Sequence, residues 1–456
     1  MAADTLLEQL ARFPDREAMI RGETPTTYAN LLERVARWRE VLAQRQIARG
    51  ETVAMHGSFS PGTVSLLLTL IENGNVIVPL TTAVRSERDK CLAIARASAL
   101  FAFDRDDCWE FSRLSPEADP PLLAEFRKTG EPGLILLSSG STGNIKAALH
   151  SFPRLLALYG KRAATAYRTL AFLLLDHIGG INTLFHILTN GGTVISPFER
   201  TPEAICAAID RHQVQLLPTT PTFLRMLLIS EAYKKYNLGA LQLITYGTEP
   251  MPPATLRELN AALPNVRLKQ TYGLTEVGIL PTKSESNDSL WLAVGGLGFE
   301  TKIVDGVLWI RTESAMLGYL NAPSPFDAEG WMNTGDLVEQ RGEFIRFVGR
   351  KSEIINVGGE KVFPAEVENV IQQLDNIKEV TVRGRPNAVT GNIVVATVEL
   401  VEPEDPDDLE DRVRRACRQK LAGYKVPALV EIAADTLCGE RFKKIRNVKQ
   451  PKSGQP

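Results

Sequence analysis

The stretch from Leu137 to Lys146 concentrates side chains that could bind an anion. It follows the apolar run 133–136 and reads Leu137, Ser138, Ser139, Gly140, Ser141, Thr142, Gly143, Asn144, Ile145 and Lys146. Glycines let successive backbone N–H groups face one phosphate, hydroxyls add donors, and a lysine adds a mobile positive charge. The lysine lies three residues after the last glycine, so this is not a Walker loop. The stretch is either a phosphate loop or a plain polar turn, and the surrounding elements must decide.

Strand-like and helix-like patterns alternate on both sides of this stretch. Predicted helices cover 27–47, 64–71, 86–96 and 181–189, and predicted strands cover 52–56, 76–79, 100–103, 169–175, 193–195, 213–218, 241–246 and 266–270. Such alternation is typical of an α/β fold with stacked, mostly parallel sheets, in which ligands bind beyond the carboxyl ends of strands. The stretch from Leu137 to Lys146 follows the carboxyl end of a predicted strand, where ligands bind in such folds. This position favours the phosphate loop over a plain turn.

The pattern changes after residue 300. The turns Asp305–Gly306 and Arg341–Gly342 separate alternating runs, which predicts hairpins and a β-rich subdomain. Beyond them, helices are predicted over 364–374 and 409–421, strands over 379–383 and 393–400, and a solvated acidic loop over 402–408. Because single cores stop growing near roughly 250–300 residues, we expect two domains, an N-terminal core over 1–350 and a small α+β domain over 351–456.

Composition narrows the class of protein. The formal net charge of −2, with 44% hydrophobic and 23% charged residues, gives no reason to expect nucleic acid or an anionic membrane as a partner. The five cysteines are scattered and form no Cys-x-x-Cys pair, which predicts neither a disulfide framework nor a zinc site and favours the cytoplasm. No apolar run approaches the roughly 20 residues of a membrane helix, so a soluble monomer or homodimer is expected.

Four stretches together resemble the adenylate-forming superfamily, which comprises acyl- and aryl-CoA ligases, adenylation domains of peptide synthetases, and luciferases. They are the opening stretch, the run 271–276 (Thr-Tyr-Gly-Leu-Thr-Glu), the run 330–336 (Gly-Trp-Met-Asn-Thr-Gly-Asp), and the paired runs 349–355 and 358–368. The resemblance spans the whole chain and is closest to the acid–thiol ligases. It departs at Ile145, Ala147 and Ser352, where the family commonly has proline, glycine, and aspartate or lysine.

The resemblance implies an enzyme that uses ATP and Mg²⁺. The phosphates would be held by Ser138, Ser139, Gly140, Ser141, Thr142, Gly143 and Lys146; the adenine by Gly247, Thr248, Glu249, Thr271, Tyr272 and Gly273; and the ribose by Asp336 and Arg350. Thr275 would offer its hydroxyl to the α-phosphate, and Glu276 would ligate Mg²⁺. Because the reaction brings two anions together, it needs cations and donors aimed at the α-phosphate.

A second lysine should come from the C-terminal domain. The run Arg441-Phe442-Lys443-Lys444-Ile445-Arg446 resembles the family's Lys-x-x-Arg segment when Lys443 takes the catalytic place. Lys444 remains an alternative, because it precedes an isoleucine as the family lysine often does. Read without the resemblance, the run would be a basic tail.

The run 176–180 is the best candidate for the wall of an acid-binding pocket. Glycines after a strand, here Gly179 and Gly180, leave room for a substrate, and His177 could close the pocket or meet the carboxylate. Read as a structural residue, the same histidine would be satisfied within the fold.

The resemblance implies a two-step ligase. A carboxylic acid and MgATP would give acyl-AMP and pyrophosphate, and the thiol of CoA or of the phosphopantetheine on an acyl carrier protein would then give a thioester. The mobile C-terminal domain would rotate about Lys351 and Ser352, presenting Lys443 first and the thiol-tunnel residues Gly358 and Gly359 second. Two alternatives stay open: an adenylating enzyme with an amine acceptor, and a nucleotide-binding protein without turnover.

Overall fold

The computed structural model describes residues 3–139, 144–159, 165–439 and 441–445. Its α-helices are α1 (Ala3–Leu10), α2 (Tyr28–Gln44), α3 (Pro61–Glu72), α4 (Arg85–Ile94), α5 (Pro121–Lys128), α6 (Phe152–Leu156), α7 (Ile178–Leu188), α8 (Pro202–His212), α9 (Pro221–Ser230), α10 (Pro253–Ala262), α11 (Pro364–Ile371) and α12 (Pro406–Lys420). Prolines in the first turn are frequent here, since their missing N–H would have no helical partner in any case.

The strands are divided among six sheets. They are β1 (Glu17–Arg21), β2 (Thr24–Thr27), β3 (Thr52–His56), β4 (Val76–Leu80), β5 (Ala99–Phe103), β6 (Trp109–Arg113), β7 (Gly133–Ser139), β8 (Ile145–Ser151), β9 (Arg168–Leu170), β10 (Thr193–Ser196), β11 (Leu216–Thr219), β12 (Leu243–Tyr246), β13 (Arg267–Gln270), β14 (Tyr272–Leu274), β15 (Gly278–Leu280), β16 (Thr282–Ser284), β17 (Leu292–Val294), β18 (Phe299–Val304), β19 (Val307–Thr312), β20 (Gly318–Tyr319), β21 (Met332–Arg341), β22 (Phe344–Arg350), β23 (Ile355–Val357), β24 (Glu360–Val362), β25 (Ile377–Asn387), β26 (Gly391–Leu400) and β27 (Leu429–Ile432).

Two seven-stranded sheets form the N-terminal part. The order β13-β12-β11-β9-β10-β1-β2 is parallel except at the β2 edge, and the order β20-β8-β7-β4-β3-β5-β6 is parallel only in its centre. Adjacent residues of a strand face opposite sides, so Met19 joins the core that both sheets share with α2, α3 and α7, while Ile20 joins the core under α8, α9 and α10. Ligand-binding strand ends are thereby held between packed layers.

The remaining strands form smaller units. Strands β16 to β19, β21 and β22 make a six-stranded sheet with its own core. Beyond the 3₁₀ turn Lys351–Glu353, the hairpin β23–β24, the sheet β25-β26-β27 and helices α11 and α12 enclose a further core, here called the C-terminal unit (residues 355–432). This arrangement agrees with the predicted large α/β part, β-rich part and small α+β part.

Two local predictions are wrong. The predicted strand 169–175 is reduced to Arg168–Leu170, because the following residues turn toward α7. The acidic run 402–408 is only partly a loop, since Asp405 caps α12 and accepts hydrogen bonds from the N–H groups of Asp407 and Asp408. The opening stretch includes the end of β7 and the start of β8, which pair antiparallel.

Within the four described ranges, no helix is long and apolar enough to cross a bilayer.

Tyr28 ties α2 to the layer between the two sheets. Its buried hydroxyl lies 2.7 Å from the carbonyl oxygen of Gly192 and 3.1 Å from that of Leu188. We expect Tyr28→Phe to lower the free energy of unfolding by about 1–2 kcal/mol, because both carbonyls lose this buried donor. Urea unfolding tests this against Tyr424→Phe, at an exposed tyrosine, which should change stability little; equal effects would contradict the assignment.

Candidate active site

A cavity of about 350 Å³ lies where the N-terminal sheets, the six-stranded sheet and the C-terminal unit meet. Eight residues predicted to serve the nucleotide or catalysis line it, namely Thr248, Glu249, Thr271, Tyr272, Gly273, Asp336, Arg350 and Lys443. They follow β12 and β13, lie on β14, β21 and β22, or come from the C-terminal end of the described chain. The fold thus brings together side chains that are far apart in sequence.

Asp336 is the centre of a hydrogen-bonded group in this cavity. Its Oδ2 accepts from the Tyr272 hydroxyl at 2.6 Å, and its Oδ1 accepts from Arg350 Nε at 2.9 Å. The register of β21 and β22 places Asp336 directly opposite Arg350. Phe347 stacks on Tyr272 with ring centroids 4.4 Å apart, so one face of the tyrosine is already covered. A buried carboxylate held this rigidly at a cavity wall is suited to accept from vicinal hydroxyls such as those of a ribose.

The turn after β12 forms the opposite wall. Thr248 has a φ of 71°, and a Cβ on Gly247 would come within 2.6 Å of the carbonyl oxygen of Thr271. The Glu249 carboxylate accepts from Thr222 Oγ1 at 2.6 Å and from the backbone N–H of Lys444 at 3.2 Å. Burial raises the pKa of Glu249, while its hydrogen bond to Thr222 opposes the shift. Glu249 therefore connects this wall to the C-terminal end of the described chain.

Lys444 is held by buried carboxylates. Its Nζ lies 2.9 Å from Glu379 Oε1 and 3.5 Å from Glu368 Oε2, and it donates to the carbonyl oxygen of Val380 at 3.3 Å. Burial opposes the charged form, but Glu368 and Glu379 outweigh it and raise the pKa of Lys444. The ammonium group is thus engaged by the C-terminal unit.

Lys443 has a different environment. Like Lys444, it lines the large cavity. Burial lowers its pKa; Glu249 opposes that shift, whereas Arg441 and Arg350 add to it. Its charge also contributes to the lowered pKa of His177. Because the ammonium group of Lys444 is already paired with Glu379 and Glu368, Lys443 is favoured as the lysine available to a ligand.

The residues before Lys443 anchor the C-terminal segment (residues 441–445) to the N-terminal sheets. Arg441 Nη2 lies 2.8 Å from Asp176 Oδ2. Phe442 has a φ of 52°, an unusual value for a bulky residue. Its ring packs against Phe172 and Phe223, and its carbonyl oxygen accepts from Thr220 Oγ1 at 2.7 Å. These contacts hold the strained backbone in place.

The predicted phosphate side is described in part. Gly140, Ser141, Thr142 and Gly143 lie outside the described residues; Ser138 and Ser139 end β7 and pair with Lys146 and Ile145 on β8. Lys146 Nζ lies 5.1 Å from the centroid of the Tyr319 ring, and the Tyr319 hydroxyl donates to Glu276 Oε1. Thr275 lies in the turn just before Glu276. Tyr319 thus contacts the Lys146 cation through its ring and the Glu276 carboxylate through its hydroxyl.

A second cavity of about 30 Å³ lies at the carboxyl ends of β11 and β12. His177 and Gly179 line it, as predicted for an acid pocket, but Gly180 does not. A Cβ on Gly180 would lie 1.9 Å from the carbonyl oxygen of Leu174, so this glycine serves close packing of α7 rather than substrate room. The same cavity is lined by Gly247, Thr271 and Gly273, which connects it to the nucleotide side.

His177 is a neutral hydrogen-bonding group. Its Nδ1 accepts from the backbone N–H of Gly179 at 3.0 Å, capping α7. Burial, with the charges of Lys443 and Arg441, lowers the pKa of His177 to about 3. The ring proton therefore resides on Nε2, which leaves an uncharged donor at this pocket.

Gly358 and Gly359 lie in the tight turn of the β23–β24 hairpin, with φ values of 59° and 91°. They line neither cavity among the residues described. Lys351 and Ser352 form the 3₁₀ turn that joins β22 to the C-terminal unit.

Sequence patterns match two family models. The model for AMP-binding enzymes matches residues 6–320, and the model for the AMP-binding enzyme C-terminal domain matches residues 366–444. The chain belongs to the family of AMP-binding enzymes, and the resemblance seen in its four motifs is confirmed.

Individual relatives are more distant. The chain is 28% identical to indoleacetate–CoA ligase of Aromatoleum aromaticum, with 95% of this chain and 93% of the relative covered. It is 28% identical to 2-succinylbenzoate–CoA ligase of Bacillus pumilus, covering 93% and 92%. Its fold is similar to that of the anthranilate CoA ligase AuaEII in complex with anthranoyl-AMP, with a TM-score of 0.80, 19% identity, and 98% and 97% coverage.

Sequence reasoning missed several contributors to the site. Tyr319 and Phe347 lie on β20 and β22 and gain their roles only where these strands meet others. The only local signal was an aromatic residue beside a predicted strand end. Arg441 and Phe442 were recognised as part of the lysine segment, but nothing in the sequence indicated their partners Asp176, Phe172 and Phe223.

The two lysines should differ in their effect on stability. Lys444→Ala leaves Glu368 and Glu379 without their buried cation and should cost about 3 kcal/mol. Lys443→Ala removes a poorly solvated charge and should leave the midpoint of thermal unfolding unchanged or slightly higher. Calorimetry of both variants decides the point; a larger loss for Lys443→Ala would overturn the description of the two environments.

Proposed function

We propose that the two adjoining cavities hold ATP and a carboxylic acid, and that Lys443 is the catalytic lysine of the first step. The enzyme is an AMP-forming acid–thiol ligase: it activates the acid as acyl-AMP, releases pyrophosphate and forms a CoA thioester. Lys443 lines the large cavity together with Asp336 and Arg350, and its charge also acts on His177 in the small cavity; these observations support the assignment of residues.

The first step is an attack by a carboxylate oxygen on the α-phosphorus. The bond to the β-phosphate breaks and pyrophosphate leaves. Both reactants are anions, so cations that are already held in place lower the barrier most. In the proposed assignment Lys443 stabilises charge at the α-phosphate, Lys146 and the hydroxyls of 138–142 stabilise the departing pyrophosphate, and Asp336 with Arg350 orients the ribose.

Glu276 suits Mg²⁺ held mainly by nucleotide phosphates. Among the described residues there is no group of three or more potential metal ligands. Mg²⁺ in nucleotide sites commonly uses one or two carboxylates and takes its other ligands from phosphates and water, and the ion would neutralise phosphate charge there. Glu276 is oriented for this by the Tyr319 hydroxyl.

The second step needs a thiol at the acyl carbon. Sulfur attacks the carbonyl carbon, the bond to the phosphate oxygen breaks, and AMP leaves. Gly358 and Gly359 lie away from both cavities, so the proposal includes a rotation of the C-terminal unit about Lys351 and Ser352 that brings the β23–β24 turn to the site. The same thiol arm is carried by CoA and by the phosphopantetheine of a carrier protein. The free cysteines support a cytoplasmic location. The proposal takes the protein to be a monomer or a homodimer.

A panel of carboxylic acids tests the function. Acid-dependent pyrophosphate release followed by acyl-CoA formation is expected. Binding of ATP without acid-dependent release of pyrophosphate would indicate a nucleotide-binding protein without turnover. Formation of an amide from a supplied amine, in place of a thioester, would indicate an amine acceptor. Replacing CoA by a phosphopantetheinylated carrier protein distinguishes the two thiols.

Lys443→Ala should separate the two steps. Adenylation should fall by about 10²–10³-fold or more, the size of losing one charge at a transition state. Thioester formation from supplied acyl-AMP should be spared, because that step is assigned to another arrangement of the C-terminal unit. Single-turnover assays of each step measure this, with Lys444→Ala as the matched variant. The pattern appearing in Lys444→Ala instead would reverse the assignment.

The lowered pKa of Lys443 predicts a pH dependence. Its charged fraction is lost as pH rises through that pKa, so adenylation should decline on the alkaline side, starting below the ordinary pKa of lysine. Lys443→Arg should remove this decline, because guanidinium stays protonated. Pyrophosphate release measured across neutral and alkaline pH checks this. A decline that persists in Lys443→Arg would assign the titration to another group.

A further inference from the structure

The small cavity contains a hydroxyl group that no part of the described chain satisfies. Thr219, the last residue of β11, lines this cavity and is 2% exposed. Its Oγ1 is buried and has no hydrogen-bond partner among the described residues. Leaving such a group unpaired is unfavourable, and pockets commonly reserve a few polar groups for their ligand.

Three neighbouring threonine hydroxyls, in contrast, have hydrogen-bond partners. Thr220 Oγ1 donates to the carbonyl oxygen of Phe442, Thr222 Oγ1 to Glu249, and Thr271 Oγ1 to the carbonyl oxygen of Tyr246. Thr245 and Thr248 line the cavity as well, but they are not fully buried. Among the described residues that line it, Thr219 carries the one side-chain polar atom that is both buried and without a hydrogen-bond partner.

The size of the cavity limits what could bind beside Thr219. A volume of about 30 Å³ corresponds to roughly two water-sized groups. Leu173 and Ile279 supply apolar wall, and His177 supplies an uncharged N–H. The space suits a short chain with one polar group and no formal charge.

We propose that the acid is compact and carries a hydroxyl group that hydrogen-bonds to Thr219 Oγ1, which makes Thr219 a specificity-determining residue. This inference rests on the proposed function, because it assumes that the small cavity receives the acid. Thr219 Oγ1 both donates and accepts, as does a substrate hydroxyl, so the two groups would satisfy each other. A methyl group in the same place would bury the hydroxyl permanently unpaired.

Matched acids of nearly equal size test the proposal. With the wild-type enzyme, kcat/KM for pyrophosphate release should be about 10- to 100-fold higher for 3-hydroxybutanoate than for 3-methylbutanoate, the range expected for leaving one buried polar group unpaired. Thr219→Val should reduce this preference to near unity, while Thr219→Ser should keep it. The ratio between acids would not be moved by a merely structural role of the side chain.

Thr169→Val is the matched control. Thr169, on the neighbouring strand β9, also has a buried Oγ1 without a partner among the described residues, but it does not line the cavity. This variant should keep the wild-type preference. Thermal unfolding of all three variants separates specificity from folding.

Each outcome decides the inference. Equal or better use of 3-methylbutanoate by the wild-type enzyme, or a preference that survives in Thr219→Val, overturns it and leaves the ligase function standing. ATP binding without pyrophosphate release for any acid overturns the proposed function itself. A preference lost in both Thr219→Val and Thr169→Val would assign it to the sheet rather than to Thr219.

Discussion

The pairing of Lys444 with Glu368 and Glu379 governs how the site is assembled. Both carboxylates lie inside the C-terminal unit and are at most 5% exposed, so their charges need a cation within the fold. Lys444 supplies it. Because consecutive residues of an extended segment point in different directions, this pairing leaves Lys443 directed toward the large cavity. The proposed choice of Lys443 over Lys444 therefore rests on the cost of burying two carboxylates.

The same segment is attached to the N-terminal sheets by contacts of another kind. Phe442 packs with Phe172 and Phe223, and Arg441 pairs with Asp176, the residue before His177. The lysine segment and the predicted acid pocket therefore share a boundary. Movement of the C-terminal unit in the proposed second step, if the C-terminal segment moves with it, would have to break an aromatic cluster and a partly buried ion pair. It would also release Phe442 from its positive φ, which offsets part of that cost.

The sheets decide where ligands meet. Parallel strands β11, β12 and β13 end at one edge. Thr219 is the last residue of β11, Gly247 to Glu249 follow β12, and Thr271 to Gly273 follow β13. The six-stranded sheet adds Asp336 and Arg350 from directly opposed positions. The residues proposed to bind the nucleotide thus lie on or beside strands, while Lys443, the proposed catalytic cation, comes from the C-terminal segment.

Local pattern determined much of this protein. Helical periodicity and the hydrophobic runs indicated the α/β layers. The motifs at 137–146, 271–276, 330–336 and 349–368 resemble those of adenylate-forming enzymes, and family membership confirms that resemblance. Those signals are local in the chain, since they depend on periodicity and on turn-forming residues. The partners of Glu276, Asp176 and Lys444, the packing role of Gly180, and the unpaired hydroxyl of Thr219 were decided only by tertiary structure. They depend on contacts between segments up to 265 residues apart, and burial, which sets their energies, arises only when those segments meet.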